Sequence, residues 1–138
     1  MQLTKYTDYS LRVLMYLALK PNRLGTISEI SDKYSISRNH LTKVVHRLAL
    51  LDYIESVQGR GGGIRLAIPA EKITVGMVFR DMEATLELID CVTKPCPILS
   101  VCKLKGVVNK ATNEFLSVLD QHTIAEMIEP KEQLLNLI

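Results

Sequence analysis

TISEISDKYSISRNHLTKVVHRLALLDYIESVQGRGGGIRLAI, residues 26–68, is the stretch whose reading decides the fold. Thr26 is followed three positions later by Glu29, a capping-box pattern that predicts a short helix ending near Tyr34. Ser35-Ile36-Ser37 makes a tight connection, and Ser37 can cap the helix that follows. That helix carries Leu41, Val44, Val45 and Leu48 at i, i+3, i+4 and i+7, one apolar stripe. Two short helices joined by a few residues, the second with a clean buried stripe, describe a helix-turn-helix. After Leu51 the period changes. Tyr53–Val57 and Ile64–Ile68 read as strands joined by Gln58-Gly-Arg-Gly-Gly-Gly63, with glycine where a hairpin needs positive φ. Such a hairpin is a wing, spanning 53–68. GRGGG also suits a phosphate loop, but that loop requires a helix directly after it, and Ile64-Arg65-Leu66 alternates like a strand.

The outward face of the second helix holds Arg38, Asn39, His40, Thr42, Lys43, His46 and Arg47, without one acid. Arginine can grip guanine and asparagine can pair with adenine in a major groove, so Arg38, Asn39, His40, Thr42, Lys43 and Arg47 are candidate DNA contacts. Arg60, at the wing tip between glycines, is a seventh. The competing explanation is a solvated face with a chance excess of base, although such faces normally mix both signs. Charge along the chain agrees with an interface. Six basic residues between Lys33 and Arg65 face only Asp52 and Glu55, while Glu71–Asp90 holds five acids against Lys72 and Arg80. The net charge of +2 by itself argues for nothing.

Outward from this unit, Leu11, Leu14, Met15 and Ala18 form the stripe of a first helix over about Asp8–Leu19. Thr7 or Asp8 is placed to cap it, and Pro21-Asn22 to stop it. Beyond the wing, Thr74 caps a helix with Val75, Val78, Phe79 and Met82 on one face. All three cysteines then fall together, in DCVTKPCPILSVCKLK, at Cys91, Cys96 and Cys102. Pro95 and Pro97 bracket the middle one and predict a stiff, non-helical loop. Thiolates on such a loop suit an iron–sulfur cluster or zinc, and an odd number suits neither a disulfide framework nor a complete zinc site. A fourth ligand must come from elsewhere. The plain alternative is that these are ordinary small apolar residues.

The longest helix follows, roughly Val101–His122, with Leu104, Val108, Ala111, Phe115 and Val118 at alternating intervals of four and three. That heptad-like seam predicts a dimerisation helix, unless it packs back on its own domain. Thr123 with Glu126 repeats the capping box and opens a short helix through Ile128. The whole chain of 138 residues, 47% apolar, has no run near membrane-spanning length and no secretory signal. A cytoplasmic protein with reduced thiols is expected. The fold expected is mainly α with a small β-hairpin, a winged helix-turn-helix plus a long dimerisation helix. Residues 1–83 would form the DNA-binding domain, 84–103 a cluster loop, and 104–138 the dimerisation helix with the short C-terminal one.

MQLTKYTDYSLR at the start, SISRNHLTKVVHRL in the recognition helix, GRGGGIRL in the wing and the cysteine triplet give the chain a resemblance to a known family. It resembles a family of bacterial winged-helix regulators, several of which hold iron–sulfur clusters, and within it the nitric-oxide-sensing repressors. The resemblance implies a homodimeric repressor on an inverted-repeat operator, released when nitric oxide attacks the cluster. It implies Cys91, Cys96 and Cys102 as ligands, with the partner subunit's Asp8 completing a 4Fe-4S site. Relatives with a 2Fe-2S cluster use a histidine near the last cysteine instead. Here none lies between His46 and His122. A second function keeps the DNA-binding dimer but places control in thiol or zinc chemistry or a partner protein. A thiol enzyme is the weakest reading, because no histidine neighbours the cysteines and no C-x-x-C occurs.

Overall fold

In the computed structural model, residues 2–138 are described. Helix α1 spans Lys5–Leu19, α2 Ile27–Tyr34 and α3 Arg38–Leu50. Strands β1 (Ile54–Val57) and β2 (Gly63–Leu66) follow, then a 3-10 turn at Ala70–Lys72 and α4 at Val75–Met82. Helix α5 covers Lys103–Asp120, α6 Ile124–Met127 and α7 Lys131–Leu135.

Local chemistry accounts for most of these boundaries. The Thr26 and Thr123 hydroxyls each accept from the N–H three residues on, and Glu29 and Glu126 return the bond, so both capping boxes close. Ser37 and Thr74 cap α3 and α4 by the same bond. The start of α1 differs from expectation. Thr4, not Thr7 or Asp8, is its cap, and its hydroxyl accepts from the Thr7 N–H. Glu83 decides this choice by accepting both the Thr4 N–H and the Thr4 hydroxyl, each at 3.0 Å. Thr7 is instead fully buried inside the first turn. The C-terminal residues form α7 against the core.

Leu41, Val44, Val45 and Leu48 face inward as the stripe requires, joined by Val13, Leu14, Leu17, Ile30 and Tyr16 from α1 and α2. Leu11 and Met15 are only partly buried, since the face of α1 that meets α3 is rotated toward Val13 and Leu17. Ile73, Val78, Ile124 and Ile128 belong to the same core, and α4 and α6 both pack on α1.

The wing is antiparallel, with Glu55 opposite Arg65 and Val57 opposite Gly63. It is anchored to the body through Gly25, whose N–H and carbonyl exchange bonds with Ile64 at 2.9 and 2.8 Å. A Cβ on Gly63 would stand 2.4 Å from the Gly25 carbonyl oxygen, so only glycine permits this approach.

Helix α5 turns one residue, Leu116, fully inward, while Leu104 and Val118 on the predicted seam are exposed. Phe115 is also exposed, with its ring edge-on to Phe79 of α4 at 5.5 Å. Arg80 of α4 pairs with both carboxylate oxygens of Asp120 at the end of α5. Residues 83–102, between α4 and α5, form turns and bends without helix or strand.

Candidate functional site

Arg38, Asn39, His40, Thr42, Lys43 and Arg47 are all exposed on α3. Ser37 fixes the N-terminal turn that presents the first of them, and the inward stripe fixes which way the others point. Arg38, Lys43, Arg47 and Arg60 make no ion pair among the described residues. The Thr42 hydroxyl donates to the Arg38 carbonyl at 2.8 Å, which leaves its oxygen to accept. At the wing tip Gly59 and Gly61 take φ of +95° and +74°, on either side of the exposed Arg60. Arg65 is different. Its guanidinium is held 2.5 Å from Glu55 across the hairpin, so it stiffens the wing.

Two contacts to α3 were not foreseen. The Tyr6 hydroxyl donates to the Lys43 carbonyl at 3.3 Å, and the Tyr9 ring lies 6.0 Å from that of His40. Both tyrosines come from α1, three residues apart and therefore on one helix face. That spacing was the available signal. Between them in sequence sits Asp8, half-buried and paired with Arg12 at 2.9 Å. The hydrogen bond to Asp8 is the main cause of a raised Arg12 pKa, and the guanidinium also lies 5.7 Å from the centre of the Tyr34 ring.

The three cysteines are free thiols on the 83–102 segment, Cys91 and Cys102 half-buried and Cys96 exposed. Asp90 shapes the first turn by accepting the Val92 and Thr93 N–H groups at 3.1 and 2.9 Å, and the Thr93 hydroxyl as well. The Thr93 hydroxyl, followed by these backbone donors, holds the Asp90 carboxyl below its ordinary range. Cys102 occupies the N-cap position of α5 and makes no side-chain capping bond. By donor chemistry the set fits an iron–sulfur cluster: three thiols on one segment, with no internal disulfide. It is not preassembled. Among the described residues no three His, Cys, Asp or Glu side chains form a group that could hold a metal ion.

Residues 3–130 match the Rrf2 family, described as iron-dependent transcriptional regulators. The chain belongs to the Rrf2 family. It is 46% identical over 142 residues to the HTH-type transcriptional regulator NsrR of Shouchella clausii (strain KSM-K16), covering all of this chain and 95% of that protein. Against the NsrR of Bacillus subtilis (strain 168) identity is 45% over 142 residues, covering all of this chain and 97% of the relative. Among solved structures, oxidised Staphylococcus aureus CymR superposes with a TM-score of 0.76 at 26% identity, over 94% of this chain and 97% of that one. The chain is thus an NsrR-type Rrf2 regulator with a winged helix-turn-helix, a transcriptional regulator and not an enzyme. No described helix is long and apolar enough to cross a membrane.

Proposed function

We propose that this Rrf2 regulator is a repressor that binds an inverted-repeat operator as a homodimer and releases it when nitric oxide reacts at an iron–sulfur cluster. The reading is carried by one pairing: an exposed, acid-free recognition face and three free thiols on one segment of the same chain. Its division of labour gives DNA to residues 1–83, the cluster to 84–103 and dimerisation to 104–138. Cys91, Cys96 and Cys102 would hold a 4Fe-4S cluster with the partner subunit's Asp8 as fourth ligand; a 2Fe-2S cluster on the same cysteines is the alternative. When bound, the cluster supplies an iron with a hard, weakly held oxygen ligand, open to a small diatomic molecule. The exposed seam residues Leu104, Ala111, Phe115 and Val118, with half-buried Val108, support a second copy as the occupant of that face of α5.

The protein's own part in release is geometric. Asp8 lies on the helix that packs Tyr6 and Tyr9 against Lys43 and His40, so a tie from Asp8 to the other subunit's loop fixes α3 relative to its twin. Half-sites lie about 34–36 Å apart, one helical turn, and a small rotation spoils both contacts.

Anaerobically isolated protein is expected to be brown, with a Mössbauer spectrum of a 4Fe-4S cluster and operator binding that nitric oxide abolishes. Colourless protein carrying stoichiometric zinc, with operator binding indifferent to nitric oxide, overturns the proposal in favour of zinc or thiol control. For the interface, Arg38→Ala or Asn39→Ala should cost about 1–3 kcal/mol on the operator and little on random DNA. Arg60→Ala should weaken sites with A·T-rich flanks selectively if the wing reads groove width. Equal losses on specific and random DNA for the α3 variants, in a binding titration at fixed salt, would refute base reading.

A further inference from the structure

The covalent path from the winged unit into the cysteine segment is the last turn of α4, and three polar groups there each hold a different element. Arg80 grips Asp120 of α5, and Glu83 accepts from Thr4 at the start of α1. Asp81 accepts the Tyr53 hydroxyl at 2.5 Å. Tyr53 is among the largest fully enclosed side chains, and its backbone is pinned on both sides. Its N–H donates to Leu48 of α3 at 3.0 Å, and its carbonyl accepts from Ala67, just past β2, at 2.9 Å. One residue therefore fixes the end of the recognition helix, the root of the wing and the end of α4. Burial, and then donation to Asp81, raises the phenol's pKa far above physiological pH, so it remains a donor.

We propose that Tyr53 and Asp81 are positioning residues: their hydrogen bond is the joint that carries a displacement at the root of the cysteine segment to the wing, and so to Arg60. A tyrosine with no task beyond packing needs only its ring in the core. Here the hydroxyl spans to an exposed carboxylate on the element leading into the segment. Loss of the joint leaves the wing attached to the body through Gly25 and Leu48 but indifferent to α4. The regulatory meaning rests on the sensing role proposed above for the cysteines; the mechanical coupling does not.

The test is a double-mutant cycle in the full-length, cluster-free protein, read by amide hydrogen exchange at residues 54–57 and 63–66. Glu83→Ala frees the segment's root from Thr4 and is expected to speed wing exchange by about fivefold or more. In a Tyr53→Phe background, which keeps the ring in place, Glu83→Ala should leave wing exchange unchanged. Asp81→Asn retains an acceptor oxygen and should behave as the parent, whereas Asp81→Ala should behave as Tyr53→Phe. Equal effects of Glu83→Ala in both backgrounds, or no effect in either, overturn the joint. A second arm compares operator affinity of cluster-loaded and cluster-free protein. Tyr53→Phe should bring that ratio at least about fivefold closer to one. If the parent's ratio is already one while the exchange cycle holds, the sensing role falls and the joint stands.

Discussion

A heterodimer of an Asp8→Ala chain with a chain carrying Cys91, Cys96 and Cys102 all replaced by Ala is expected to regain a native-like cluster spectrum at roughly half occupancy. The triple-Ala homodimer should hold no cluster. The Asp8→Ala homodimer should hold one that is lost faster or responds differently to nitric oxide. If ligation crosses the interface, the heterodimer contains one site with every ligand native. If Asp8 serves its own chain's loop, neither site is complete. The folded state should survive each change. Thr4 caps α1, so Asp8→Ala removes only the partly exposed pair with Arg12, worth about 0.3–0.5 kcal/mol. Absence of recovery, with heterodimer formation verified by native mass spectrometry, would remove Asp8 from the ligand set.

The second large effect is on stability. Leu41 is fully enclosed between α1 and α3, two residues from the proposed base-reading Asn39 and next to His40. Leu41→Ala should cost about 2–5 kcal/mol, through lost burial and the cavity left behind. That is a large share of the roughly 5–15 kcal/mol typical of a domain. Leu50, on the same helix and 63% exposed, should tolerate Ala within about 0.5 kcal/mol. Urea unfolding of both variants checks the contrast. Similar losses at the two positions would mean that the stripe of α3 is not its buried face.

What was legible in the sequence is what local chemistry writes. Thr26 with Glu29, Ser37, Thr74 and Thr123 with Glu126 each signal a helix start within four residues, and each caps as read. The stripe of α3 and the glycines around Arg60 are equally local. The start of α1 was not, because Thr4 is chosen over Thr7 by a carboxylate 79 positions away. Leu116 is hidden in a helix that has more than one apolar stripe, and only packing against α4 says which one turns inward. Tyr53 and Asp81 carry no mutual signature across 28 positions. For the cysteines, spacing identifies the donors, but proximity in sequence does not gather the thiols, which form no metal-binding group in this conformation.

Residues 83–102 also bear on how long the protein lasts. They join α4 to α5 by an exposed stretch with neither helix nor strand, the kind of backbone that fits a protease cleft without prior unfolding. Limited proteolysis of the cluster-free protein should therefore cut first between Met82 and Lys103, while α1–α4 and α5 resist. Such a cut breaks the chain between the proposed operator-reading part and the proposed dimerisation helix, while the Arg80–Asp120 pair and α6 in the shared core still hold the two fragments together. Turnover in the cell would then follow how often this stretch is held, and each newly made chain would have to become protected before it could persist. On the sensing role proposed for the cysteines, the amount of regulator would become a slow record of past exposure, beside the response of each molecule.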